Sequence, residues 1–123
     1  MIELARRTRA LPAPPHVVFE SLTDPRRPQG RPWLVLLADE TEPRLLDGAH
    51  PHTVVWSSLW PGRPEDGIHL HLAPRGPGGT SHESALEFVL LTPDGEPDPP
   101  TLGHLRKRLN HLFFADLRFS FGK

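Results

Sequence analysis

Two His-x-His pairs, His50/His52 and His69/His71, have the types and spacing most suggestive of chemistry in this sequence. Alternate residues of a β-strand project from one face, so each pair is able to present two imidazoles to one metal ion. The neighbours argue for a plainer role. His69 and His71 alternate with Ile68, Leu70 and Leu72, and if the aliphatic set faces the core the histidines face water. A metal site also wants a third ligand; His82 and Glu83 are nearest in sequence, and no motif joins them to the pair. The expectation is solvated outer-face histidines, no bound transition metal and no cofactor.

A carboxylate stands out for the opposite reason. At about 100° per residue along a helix over residues 101–121, Asp116 falls within roughly 20° of Leu109, inside an apolar stripe between Phe113 and Leu117. A charge placed there needs a partner or a wet cavity. Asp116 is therefore either structural, exposed near the helix end or paired with a first-strand arginine such as Arg7 or Arg9, or a ligand-contacting or acid–base group. Three tryptophans, Trp33, Trp56 and Trp60, are a large aromatic allotment for 123 residues. Such rings suit a pocket wall as well as a core, and each indole N–H wants an acceptor when buried. With Phe88 on a strand and Phe113 on the helical stripe, the tryptophans and Asp116 are the candidate ligand-binding residues. No residue is assigned a catalytic role.

Composition removes several classes of function. The chain has no cysteine, which excludes disulfide scaffolds, thiolate nucleophiles and Cys-ligated zinc. Fourteen basic and fifteen acidic residues give a formal net charge of −1, so no global field draws nucleic acid or an anionic membrane. The short basic clusters Arg6-Arg7, Arg26-Arg27 and Arg106-Lys107-Arg108 lack interleaved aromatics and read as solvated faces. Pro74-Arg75-Gly76-Pro77-Gly78-Gly79 lacks the Lys-Ser/Thr of a phosphate loop and reads as a hairpin turn. There is no Gly-x-Ser-x-Gly nucleophile elbow. No apolar run approaches the ~18 residues of a membrane span, and the first residues carry no signal-peptide core. A cytoplasmic protein without stable membrane insertion is expected. The length fits one domain, residues 1–123, able to bury a core unaided by metal or disulfide.

The elements that must position these groups follow from periodicity. Residues 2–11 read as a half-buried strand, and Pro12-Ala13-Pro14-Pro15 stops it and starts a helix over 16–23 with Val18 and Leu22 on one face. Asp24-Pro25 ends that helix. After a polar loop, the apolar run 33–38 fits strand or helix turn equally. Four runs follow, 42–49, 53–60, 67–73 and 81–91, each bounded by turn residues, and short links make such strands antiparallel neighbours. A helix over 101–121, capped by Asp98 or Thr101, carries Leu102, Leu105, Leu109, Leu112 and Phe113 on one stripe. His104, Arg108, His111, Ala115 and Arg118 fall on the opposite side. At 1.5 Å per residue the helix is about 30 Å long, the width of a small domain, and its stripe must cover something.

This order resembles the helix-grip fold of the START-like, or SRPBCC, superfamily, which includes the Bet v 1-like and polyketide cyclase/dehydrase-like families. The run LPAPPHVVFESLTDP at 11–25 is similar to the superfamily's passage from first strand to first helix. Val54-Val55-Trp56-Ser57-Ser58, Gly79-Thr80 leading into an alternating strand, and the terminal helix add to the likeness. The resemblance implies an α+β architecture: a curved antiparallel sheet of about five to six strands wrapped on the long C-terminal helix, with one short helix after the first strand. It also implies a pocket between sheet and helix for an apolar or amphipathic small molecule. Two alternatives accompany it. One is a cyclase- or dehydratase-like enzyme on a polyketide-type substrate, in which Asp116 or a histidine moves a proton; the other is a filled-core domain whose surface binds protein.

Overall fold

The first strand, β1 (Ile2–Leu11), and the first helix, α1 (Pro15–Thr23), lie where their patterns place them in the computed structural model, which describes residues 1–28, 30–75 and 82–122. Pro15 opens α1 at a position where a missing N–H costs nothing, and Asp24, ahead of Pro25, leaves the helical region and ends it. Four further strands, β2 (Leu45–Ala49), β3 (Thr53–Ser57), β4 (Gly67–Arg75) and β5 (Glu83–Thr92), complete a five-stranded antiparallel sheet in the order β1-β5-β4-β3-β2. The expected meander runs from β2 to β5, and β1 pairs beside β5. The turn read over 74–79 lies, from residue 76 onward, outside the described residues, as does Gly79-Thr80.

Register lines up the apolar faces. Leu86, Phe88 and Leu90 of β5 stand opposite Leu72, Leu70 and Ile68 of β4, which in turn place Leu70 and Ile68 beside Val54 and Trp56 of β3. All of these side chains are buried. His69 and His71 take the alternate positions, opposite Val55 and Thr53, and so stand on the outer face as the alternation predicts. Among the described residues no three His, Cys, Asp or Glu side chains are grouped to hold a metal ion.

Two strands are shorter than their apolar runs. Pro43 has no N–H to give to a ladder, and the Arg44 N–H donates to the Ser57 hydroxyl at 2.6 Å, so β2 begins only at Leu45. The Ser58 hydroxyl bonds the Trp60 N–H at 3.0 Å and its C=O at 3.2 Å, which turns the chain away after Ser57. The run 33–38 is neither strand nor helix. It belongs to a connection over residues 24–44 that buries Trp33 and Leu34 and leaves Val35 and Leu37 exposed.

The C-terminal rod consists of α2 (Pro99–His111), a π-helical stretch (Leu112–Leu117) and α3 (Arg118–Ser120), without a break. Asp98 is its cap: the Thr101 hydroxyl donates to its carboxylate at 2.7 Å and the Thr101 N–H at 3.3 Å. These bonds favour the anion and hold the Asp98 acid below its ordinary value. Pro99, Pro100 and Gly103 make the first turns intrinsically poor helix, so packing must hold them. Leu102, Leu105, Leu109, Leu112 and Phe113 are all buried, each contributing about 2 kcal/mol relative to exposure.

The π-helical stretch corrects the place of Asp116. With i→i+5 bonds each residue turns through less than 100°, roughly 80°, so residues beyond His111 lag their α-helical positions. Phe113 moves to the centre of the buried stripe and Leu117 stays within it, while Asp116 rotates off its edge. Phe113 and Leu117 are fully buried, and the Asp116 side chain is 24 % exposed. Neither Arg7 nor Arg9 pairs with it. Its partner is His111, Nε2 to Oδ1 at 3.4 Å, five residues back, a separation that a π turn stacks and an α turn splays apart.

Candidate functional site

The interior between sheet and helix is occupied by side chains. Trp33 stacks on Trp56 with centroids 6.0 Å apart, and Phe113 sits 5.4 Å from Trp56, 6.3 Å from Trp33 and 5.9 Å from Phe88. Phe114 continues the series 5.7 Å from Phe88. Such offset and tilted contacts add to the area that each ring buries. The Trp56 indole N–H donates to the Leu22 C=O at 2.9 Å, tying sheet to α1. The indole nitrogens of Trp33 and Trp60 are buried with no hydrogen-bond partner among the described residues. Trp33, Trp56 and Phe113 thus lie in one aromatic core, while Phe88 reaches from it to a cleft.

That cleft opens between β1 and the C-terminal rod. One lobe, about 540 Å³, is lined by Ala5, Arg7, Phe88, Arg106, Lys107 and Asn110, together with Glu3, Leu4 and Arg6. A second lobe, about 480 Å³, is lined by Arg9, Leu37, Lys107, Asn110, His111 and Phe114, among others. Lys107 and Asn110 border both. Phe88 lines the first lobe and Phe114 the second, and the contact between their rings makes the apolar floor continuous from one to the other. The Asn110 Oδ1 is buried there without a protein partner among the described residues. Trp60 lies at a separate groove of about 450 Å³ with Asp39, Arg63, Thr101, His104 and Leu105.

One buried ion pair fixes the side of this cleft. Arg108 donates to the Glu40 carboxylate from Nε at 2.7 Å and from Nη2 at 2.8 Å, and to the Val35 C=O at 3.2 Å. The Leu37 N–H also donates to Glu40, at 2.9 Å. The side chains are 9 % and 0 % exposed. Burial alone would raise the Glu40 acid; the hydrogen bonds from Arg108 and Leu37, with the Arg108 charge, outweigh it and hold the acid below its ordinary value. The same hydrogen bond from Glu40 raises Arg108 against the cost of its burial. This corrects the reading of Arg108 as part of a solvated face: the helical wheel puts it opposite the leucine stripe, but residues 33–40 fold over that side and supply its anion. His104 pairs with Asp39 of the same segment at 3.0 Å.

Cleft residues outside the sequence candidates include Arg7, Arg9, Lys107, Asn110, His111 and Phe114. A signal for the two arginines is present in the strand alternation. Counting back in twos from Leu11 puts Arg9, Arg7 and Ala5 on the core side, and the register confirms it, with Arg7 opposite Phe88 and Arg9 opposite Leu86. The residues on the rod gave no such signal, because they gain their meaning only from the strand they face.

A five-stranded antiparallel sheet with a long C-terminal helix packed against it and a short helix after the first strand is a helix-grip fold. Solved structures with this fold include CalU16 from Micromonospora echinospora, 19 % identical, TM-score 0.64, covering 93 % of this chain and 71 % of that one. Another is Aha1 from Colwellia psychrerythraea, solved as a dimer, at 13 % identity and TM-score 0.71, covering 100 % and 99 %. A third is an HSP90 activator from Plasmodium falciparum, at 14 % identity and TM-score 0.59, covering 94 % and 91 %. No protein-family model matches the chain. No curated protein matches it either. Among the described residues no helix is long and apolar enough to cross a membrane.

Proposed function

We propose that this domain binds an amphipathic small molecule in the cleft between β1 and the C-terminal rod. The observation that carries the reading is the cleft itself: two lobes of about 540 and 480 Å³ that meet at Lys107 and Asn110 over the paired rings of Phe88 and Phe114. Each lobe has the volume of an ordinary small-ligand site, with an apolar floor and polar walls. The deeper space under Trp33 and Trp56 is filled by their own stacking, so the ligand takes the opening at the sheet edge. If the bound molecule is also turned over, the cyclase-like alternative, the proton-transfer group at the cleft is His111, oriented by Asp116. The test is titration of the neutral dye Nile red, followed by its fluorescence and by amide shifts. Shifts clustered at Ala5, Phe88, Asn110 and Phe114, and weakened binding in Phe114→Ala at unchanged fold, are expected. Shifts elsewhere, or none, overturn the reading.

The second reading is a protein-interaction domain with a filled core. It draws support from the packed aromatic interior and from the fold shared with Aha1 and an HSP90 activator over nearly the whole of both chains. Failure of all small amphiphiles to bind, together with a protein partner whose complex protects β1 and the rod from amide exchange, would favour it.

A further inference from the structure

The charges around the cleft are distributed unevenly, and that unevenness identifies the ligand's headgroup. On the outer face of β1 the arginine is neutralised: Arg6 pairs with Glu3 and with Glu87, both at 2.8 Å, and the Thr8 hydroxyl donates to the same Glu87 at 3.2 Å. On the inner face the strand carries Arg7 and Arg9 opposite Phe88 and Leu86 of β5, and neither forms an ion pair among the described residues. Across the cleft Lys107 is also without one, whereas Arg108 is held by Glu40 and Arg106 donates to the Leu4 C=O at 3.0 Å. The nearby acids are engaged: Glu3 by Arg6, Asp116 by His111 at 3.4 Å. Three uncompensated cations therefore border one apolar-floored cleft in a chain whose formal net charge is −1.

Resting on the proposed cleft, we infer that its ligand is an amphipathic anion, with a carboxylate or phosphate head held by Arg7, Arg9 and Lys107 and an apolar body laid over Phe88 and Phe114. Arginines two apart on a strand stand about 7 Å from each other on one face. Their planar forks match carboxylate and phosphate oxygens in a bidentate way, and Lys107 adds a point charge from the opposite wall. The low polarity of the floor strengthens these bonds relative to the same contacts in water. A neutral or cationic amphiphile of equal size would leave the three cations facing one another across the cleft.

The experiment is calorimetric titration of the full chain at low ionic strength with dodecanoate, dodecyl phosphate, dodecanol, dodecyltrimethylammonium and inorganic phosphate, each below its aggregation threshold. The two anionic amphiphiles are expected to bind roughly tenfold or more tightly than dodecanol, since hydrogen bonds to charged groups are the strong ones. Added salt should erase that preference. Inorganic phosphate, lacking the apolar body, should bind more weakly than dodecyl phosphate. In Arg7→Gln/Arg9→Gln the preference for the anionic amphiphiles over dodecanol is expected to vanish at an unchanged melting temperature; Lys107→Gln, on the other wall, gives a smaller loss in the same direction and serves should the double variant misfold. Dodecanol binding as tightly as dodecanoate to the unaltered chain overturns the headgroup inference and leaves the cleft reading standing. No binding by any amphiphile removes both. Binding of a polyglutamate peptide through Arg7 and Arg9 without any amphiphile would assign the basic wall to a protein partner instead.

Discussion

Replacing Glu40 by leucine isolates the interaction that closes the long connection onto the rod. The change leaves the Arg108 guanidinium under residues 33–40 with one acceptor, the Val35 C=O, and deprives the Leu37 N–H of its partner. Removing one member of a buried, hydrogen-bonded pair costs about 3–5 kcal/mol, because the remaining charge stays desolvated. For a domain of this size 1 kcal/mol corresponds to about 4 °C, so the melting temperature should fall by roughly 12–20 °C. Glu40→Leu/Arg108→Met removes both charges and should recover most of the loss, since neither charge is left desolvated without a partner. The pH dependence has a definite sign. The folded-state acid of Glu40 is lowered from its ordinary value of 4.5, so the unfolded chain takes up the proton first on acidification. The pair's contribution is complete above that value and is lost as pH falls through the lower folded one. Thermal unfolding of the three proteins between pH 3 and 8 checks this. A single-variant shift below about 4 °C, or a double variant as unstable as the single, would refute the reasoning.

The aromatic core separates tryptophans by what their indole nitrogens do. Trp56→Phe takes a hydrogen bond from the buried Leu22 C=O and should cost more in denaturant unfolding than Trp33→Phe, which removes a donor that has no protein partner among the described residues, by roughly 1–3 kcal/mol. Asp116→Asn should move stability by less than about 1 kcal/mol, since the carboxylate is partly solvated and its His111 contact is long; a larger loss by the same measurement would mean that it is a structural anchor. Deleting Ala115 should convert the π turn to α-helix while keeping Phe113 and Leu117 on the buried stripe, so circular dichroism should show a folded, cooperatively melting chain, and loss of folding would contradict the account of the π turn as a shift of phase along the rod.

What the sequence determined by itself is the part of the protein governed by local period. Alternation put Ile68, Leu70 and Leu72 inward and His69 and His71 outward, Pro15 and Asp24-Pro25 bracketed α1, and the leucine stripe from Leu102 to Phe113 marked a helix lying across a sheet. Those features survive because each depends on neighbours within a turn or a strand repeat, and the same pattern that names the element also names its buried face. Only the tertiary structure decided the rest. The helical wheel placed Arg108 in water and Asp116 inside the apolar stripe; Arg108 is buried because a distant segment brings Glu40 over it, and Asp116 stands half-buried at the stripe's edge because a π turn shifts the phase of every residue after His111. The cleft is of the same kind. Arg7 and Arg9 become a wall, and Lys107, Asn110 and Phe114 become their counterpart, only when β1 pairs with β5 and the rod crosses that edge; residues about a hundred positions apart share no period, so nothing local in the chain encodes their meeting.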